Sequence, residues 1–460
     1  MGYSNLKDKK MKLSIHNFKT IRELNSLNFN SINIISGVNS SGKTSFIQFL
    51  LLLKQTLETE STNPALIFDG NWVKLGNAEN LVYKKDKENS IGFELQFDKE
   101  HIKDIFPEIL EIEQINIRTT YSFFKNELQL AVVNIQYIAK NRNHAISFYR
   151  NENGTYNVNS DTQLFVGEKI VEILGNSGEL NFVSFFPLMF TTNDTDTNSR
   201  NSYEIKTKEV QNIIQDVFSK ISYIGPLREK PQDSYESTTN KNKYIGSKGE
   251  FAAQFLEEEA NNIVEFYDIE SKTFKSTTLS NAVKYWICDY FRLAKDITAE
   301  KDNDRFKVKV INQYNVESTI RQVGFGISQV LPIIVEGLRM PKDGILILEQ
   351  PEIHLHPKVQ SMLFDFVYSL SLTGKKFIIE THSDHFITRM RRRVAEDNHN
   401  LADKINLVFV EQKEAEHLFR KISLDDMGTF DYFPTDFVEQ TEDLDAIIMA
   451  QAKKAMSKKD

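Results

Sequence analysis

The chain has 460 residues, 40% hydrophobic and 26% charged, with a formal net charge of -8 and a single cysteine, Cys288. That is enough chain for one large or two ordinary domains with a sizeable core; it excludes a disulfide framework or a cysteine metal site within one chain, and the acidic balance argues against a broadly basic nucleic-acid surface. No apolar run reaches membrane-spanning length, the N-terminus lacks an apolar secretory core, and Leu6 breaks the myristoylation pattern opened by Met1-Gly2, so no membrane association and a cytoplasmic location are expected.

Residues 12–18 and 24–29 alternate enough to form two opening strands. Residues 31–35, Ser-Ile-Asn-Ile-Ile, are a β-branched run suited to a buried strand, and the spacing of Phe46, Leu50, Leu53 and Leu57 predicts a helix over 44–58. Residues 72–76, with Leu81 and Val82, continue this lobe. Aromatic and β-branched residues predict strands over 91–97, 115–123, 128–138 and 144–150, and Asn153-Gly154 is a strong turn signal before a further strand at Tyr156 and Val158. Helices are then expected to take over at about 161–175, 205–219, 248–266 and 278–293, the last with Cys288 as a core residue, separated by polar loops at 193–202 and 232–243. Val330, Leu331, Ile333, Ile334 and Leu338 predict a helix opened by 324–329. Strands follow at 344–349, 376–380, 405–410 and 417–422, then an acidic aromatic turn at 431–434 and a helix at about 436–456. The segments group into an N-terminal lobe (11–100), a strand-rich then helical insertion (101–320), a C-terminal lobe (321–425) and a helical tail (426–460). There are no long heptads, so a long coiled-coil arm is not expected.

Residues 37–44, Gly-Val-Asn-Ser-Ser-Gly-Lys-Thr, fit the phosphate-loop pattern G-x-x-x-x-G-K-[ST] at every defined position, between the expected strand and helix. Gly37 and Gly42 allow main-chain amides to wrap phosphates, with Asn39, Ser40, Ser41 and Ser45 completing the loop and the first helical turn. Lys43 is expected to neutralise β/γ oxygens and Thr44 to hold Mg²⁺. Some 280 residues on, residues 344–352 read as a buried strand running into acids, the form of a Walker B element, with Glu349 organising Mg²⁺. Gly324-Phe325-Gly326-Ile327-Ser328-Gln329 puts small residues and a hydroxyl at a helix N-terminus that can face an anion, and the strand 376–380 ends at His382, within reach of a γ-phosphate.

This order of motifs resembles the ABC-type ATPases of the RecF, SMC and OLD group, and most closely the OLD-like proteins. Glu-Gln-Pro-Glu-Ile-His-Leu-His-Pro (349–357), Glu-Thr-His-Ser-Asp (380–384), Ile-Gly-Pro-Leu-Arg-Glu (224–229) and Gly-Ser-Lys-Gly-Glu (246–250) carry the resemblance, which is firm over 11–85 and 320–412. It implies an α/β fold: an ABC-type P-loop NTPase head, a mixed sheet flanked by helices, carrying a mixed β/helical insertion. It further implies that Gly324, Gly326 and Ser328 form the signature capping ATP on a second subunit, and that His382 is the switch histidine. Relatives carry an acid where this chain has Gln350; a glutamine orients water but cannot take its proton, so slow hydrolysis is expected, with Glu352 as the alternative base.

His354/His356 and His382/His385 have zinc-like spacing but lie inside the ATPase motifs and lack completing ligands, and Ser383-Asp384 reads as a helix cap. Arg389, Arg391, Arg392 and Arg393 read as a solvated helix face. Only 50 residues follow the strand at 405–410, too few for the Toprim nuclease of many OLD proteins, so any nuclease or toxin effector is expected on a separate chain. The resemblance implies an ATP-driven dimeric switch in anti-phage defence; the alternatives are a RecF-like DNA repair ATPase and an ATP-dependent scaffold with negligible turnover.

Overall fold

The structure is a computed structural model that describes residues 11–37, 42–102, 112–140, 142–165, 174, 176–193, 200–236, 243–396, 400–413 and 416–432. The chain divides into two compact units, one of Met1–Asn30 with Thr44–Ile221 and the other of Ser31–Lys43 with Ser222–Asp460.

The first unit is built on a ten-stranded sheet. Met11–Phe18 pairs with Ile21–Phe29 on one side and Ile91–Asp98 on the other. From there the strands follow in chain order: Ile112–Phe124, Glu127–Ala139, Asn143–Arg150, Tyr156–Ser160, Ser177–Val183, Phe186–Asn193 and Arg200–Glu204, each antiparallel to the last. Tight turns set the register. Lys125 and Asn126, between paired Phe124 and Glu127, both have positive φ (49° and 68°), the mirror-image turn whose twist matches the flanking strands. Helix Lys43–Thr59, in this unit from Thr44 onward, buries Phe46, Ile47, Phe49, Leu50, Leu52 and Leu53 and is therefore a core helix. Phe49 meets Phe18 and Phe93 edge to face, at centroid distances of 5.0 and 5.6 Å.

Helices do not take over after residue 160. Residues 161–165 form bends and a turn, and the rest of the helix expected at 161–175 lies outside the described residues apart from Leu174, in a turn. The strands at Ser177–Val183 and Phe186–Asn193 form instead because Phe182, Phe185, Phe186 and Phe190 bury against the unit's aromatic core, Phe185 lying 5.4 Å from Phe93. The helix expected at 205–219 is present as Lys208–Ser219.

In the second unit a six-stranded sheet runs in the order Ile221–Ile224, Ile345–Glu349, Lys376–Glu380, Ile32–Gly37, Ile405–Lys413 and Glu416–Ile422. The middle four are parallel and buried almost throughout, as strands covered on both faces must be. Helices Phe325–Arg339, Pro357–Ser371 and Asp384–Glu396 contribute to its core, with Trp286 set edge-on to Phe366 at 5.0 Å. The helix expected over 248–266 ends at Glu258; Val264 and Phe266 then bury at a period of two in the hairpin Ile263–Asp268/Thr273–Thr278. A second hairpin, Asp296–Asp302/Arg305–Ile311, buries Phe306, Val308 and Val310 with the same period. The expected helix at 278–293 forms as Leu279–Lys284 continued by a π-helical turn, Tyr285–Tyr290, with Cys288 partly buried. The tail helix at 436–456 lies outside the described residues.

The arginines of helix Asp384–Glu396 are not a purely solvated face. Arg393 donates to Asp365 at 2.6 Å, Arg389 lies 3.5 Å from the same carboxylate, and Arg391 donates to the Gly428 carbonyl; only Arg392 is well exposed, paired with Glu396. Asp365 is fully buried and also accepts from the Tyr290 hydroxyl at 2.8 Å. Removing one member of a buried charge cluster leaves the others uncompensated, so Asp365→Ala is expected to cost about 3–5 kcal/mol, read as a lowered urea midpoint for unfolding of this unit. A variant as stable as wild type would mean that these arginines find solvent as easily as the carboxylate.

Candidate nucleotide site

The four parallel strands end on one edge of the sheet, the side where open α/β sheets bind ligands. Register brings Glu349 opposite Glu380, Glu380 opposite Ile35, and Gly37 opposite Val410. Gly37 has φ 142°, and a Cβ there would stand 2.4 Å from the Val410 carbonyl oxygen, so only glycine lets the main chain turn into the loop at this strand end. Asn39, Ser40 and Ser41 lie outside the described residues. The chain re-emerges at Gly42, φ 92°, directly before the helix that begins at Lys43 and has no acid in its first turn.

Lys43 is buried and donates to the Gly37 carbonyl at 2.9 Å. Burial lowers its pKa, while the charges of Glu380 and then Glu352 act to raise it. Thr44 and Ser45 are the next residues of the helix, and the Ser45 hydroxyl lies 2.9 Å from that of Thr20.

Glu349 is buried, which raises its pKa, and it accepts a 2.7 Å hydrogen bond from Tyr223, which acts to lower it. Burial, and then the charge of Glu349, push the Tyr223 phenol up, so it serves as a donor. Gln350 turns the chain at φ 44° and is fixed through its main chain: its N–H donates to the Glu380 carbonyl at 2.8 Å, and its carbonyl accepts from Arg228 at 3.2 Å. Glu352 does point inward. Its Oε1 accepts from the His382 N–H at 2.7 Å, and its Oε2 is buried without a hydrogen-bond partner. Burial raises the Glu352 pKa despite that hydrogen bond and the nearby Arg228 charge. His382 is solvent-exposed, yet partial desolvation of its ring and then the Lys43 charge hold its pKa below the ordinary value, so it is neutral at pH 7.

The segment 324–329 opens helix Phe325–Arg339 with Gly324 as its N-cap and no acid in the first turn. A Cβ on Gly324 or Gly326 would meet nothing within 4 Å, and Ser328 is buried. The histidine pairs are divided among other tasks. His356 Nδ1 accepts from the Lys358 N–H, capping helix Pro357–Ser371, and Ser383 caps the following helix by accepting from the Phe386 N–H. Among the described residues no three His, Cys, Asp or Glu side chains are placed to hold a metal together. Mg²⁺ takes carboxylate, phosphate and water oxygens, and the buried Glu349 carboxylate is a donor of that kind.

Two contributors escaped the sequence reading. Tyr223 is the third residue of the short strand Ile221–Ile224, whose Ile-Ser-Tyr-Ile run into Gly-Pro marks the strand's end. Glu380 is buried at the end of its strand beside Lys43, a position its alignment with Glu349 foreshadows.

The family described as AAA ATPase domain matches residues 11–387. No curated protein matches the chain. Among solved structures, the chain is similar to the SMC head domain from Thermotoga maritima, with 10% identity over 91% of this chain and 100% of that one and a TM-score of 0.38. It is also similar to an Smc head domain with an extended coiled coil, bound to the C-terminal domain of ScpA derived from Pyrococcus furiosus, with 11% identity over 90% of this chain and 96% of that one and a TM-score of 0.41. Likeness so loose adds no argument. The family match spans most of the chain, including the phosphate loop and the strands ending in Glu349 and Glu380, and the chain belongs to the AAA ATPase domain family.

Proposed function

We propose that this ATPase works as a molecular switch: two copies close on two ATP molecules, each copy's helix Phe325–Arg339 capping the nucleotide held by the other's phosphate loop. The open, acid-free N-terminus of that helix carries the reading, because an anion-ready helix end with free space over Gly324 and Gly326 has the form of a half-site awaiting a second surface. Control of a separate nuclease or toxin effector in anti-phage defence, and the cytoplasmic setting, rest on the resemblance to OLD-like ATPases.

Within one site, Lys43 neutralises the β/γ oxygens and the amides of the loop cradle them. Glu349 would hold Mg²⁺, which when bound would draw charge from the phosphates. Tyr223 holds the Glu349 carboxylate in one orientation through its hydrogen bond. Glu352 takes the proton of the attacking water: it is an inward carboxylate with one buried, unpartnered oxygen and a raised proton affinity, and Gln350 can only orient that water. Its other oxygen is tied to the His382 N–H.

Three measurements test this. Lys43→Ala is expected to abolish ATP binding by calorimetry in a folded chain, and near-normal affinity would remove the loop as the principal site. Gly326→Arg meets open space within its own copy, so it should leave ATP binding intact while abolishing ATP-dependent dimerisation in light scattering; turnover by persistent monomers would defeat the two-copy switch. Glu352→Gln should retain ATP binding and lower turnover by about 10²- to 10⁴-fold in a phosphate-release assay. Wild-type turnover in that variant, with loss in Gln350→Ala, would mean that Glu352 does not take the proton and that orientation of the water by Gln350 is what matters.

A further inference from the structure

The two motifs that the ATPase roles leave unexplained, 224–229 and 246–250, form one clamp. The Gly225 N–H donates to the Ser247 carbonyl and the Glu229 N–H to the Lys248 carbonyl, each at 2.8 Å, so main-chain bonds grip the chain on both sides of Arg228. The clamp has little freedom to move. Gly249 has φ 73°, and a Cβ there would stand 2.4 Å from Pro332 of helix Phe325–Arg339, so the turn lies flat against that helix.

What the clamp presents is an unusual arginine. Arg228 is 7% exposed, and of its guanidinium nitrogens only Nη2 donates, to the Gln350 carbonyl at 3.2 Å; Nε and Nη1 are buried without partners. The unpartnered Glu352 Oε2 belongs to the carboxylate whose charge acts on Arg228, yet no ion pair joins them. A buried guanidinium with two unpartnered nitrogens is unfavourable unless it has a task, and the one bond this arginine makes is to the Gln350 carbonyl.

We propose that Arg228 is a positioning residue for hydrolysis: it fixes the left-handed turn at Gln350 through that residue's carbonyl, and with it the direction in which Glu352 leaves the turn. This rests on the assignment of Glu352 as the proton acceptor. Arg228 acts through Gln350 and Glu352, so its loss affects the chemical step more than nucleotide capture.

The test uses the full chain, with phosphate release and ATP calorimetry on wild type, Glu352→Gln, Arg228→Met and Arg228→Lys. Arg228→Met is expected to lower kcat by about 10- to 100-fold with KM and ATP affinity nearly unchanged, as misplacement of a reacting group does. Arg228→Lys keeps the charge and a donor to the Gln350 carbonyl and should recover part of kcat. Wild-type kcat in Arg228→Met overturns the proposal; so does loss of ATP affinity in Arg228→Lys, which would make Arg228 a nucleotide contact or a fold element. If Arg228→Met does not fold, Arg228→Lys decides alone: lowered kcat at unchanged KM supports the role, and wild-type kcat overturns it. Unchanged turnover in Glu352→Gln alongside a defective Arg228→Lys would instead overturn the Glu352 assignment and leave the arginine's effect on the turn standing.

Discussion

The close approach of Gly37 to Val410 sets the geometry on which the rest of the site depends. Parallel strands stay in register only if their main chains lie at hydrogen-bonding distance to the end, and here that end is also where the chain must leave the sheet to form a phosphate loop. A side chain at position 37 would sit 2.4 Å from a carbonyl oxygen and force the two strands apart. With the register kept, Glu349, Glu380 and Gly37 finish at one edge, and Lys43 returns to the Gly37 carbonyl. The helix Lys43–Thr59 then starts where its amides can face a phosphate.

The turn after Glu349 shows how the same edge handles a second demand. A left-handed glutamine is costly unless its surroundings over-determine it, and both of its main-chain polar groups are engaged, one by Glu380 and one by Arg228. This makes the turn rigid and gives Pro351 its place, fixing the direction in which Glu352 leaves. The sequence alone left open whether that carboxylate faces the site. The bond from the His382 N–H answers it, and the answer shifts weight from Gln350 to Glu352.

Where local pattern and tertiary demand agree, the sequence is legible. The runs at 31–35, 345–349 and 376–380 are apolar without a break because both faces are covered, and the glycine and serine signals at 37–44 and 324–329 mark loop-to-helix junctions that the fold keeps. Legibility fails where partners are distant in the chain. The strands of 177–204 belong to a sheet begun at residue 11, and their phenylalanines find the core only when that sheet exists. The hairpins at 263–278 and 296–311 did show alternation, but neighbouring helix formers masked it. Arg389 and Arg393 look solvated until Asp365, more than twenty residues earlier, is brought beneath them. Tyr223 and Arg228 gain meaning only through groups more than 120 residues away.

The charge balance of the site argues for what it binds. Glu380 and Glu352 act on Lys43, Glu349 and Glu380 on Tyr223, and Arg228 is a second cation acting with Glu352. A triphosphate alone would add negative charge to a group of carboxylates whose burial already raises the proton affinity of Glu349 and Glu352. Such an edge would accept a polyphosphate only with a cation that offsets the acids. The same imbalance favours release once the terminal phosphate is detached, because one strand of that attraction is then lost while the three carboxylates remain. An acid-rich edge is therefore better suited to the release that the proposed switch would require than to permanent nucleotide storage.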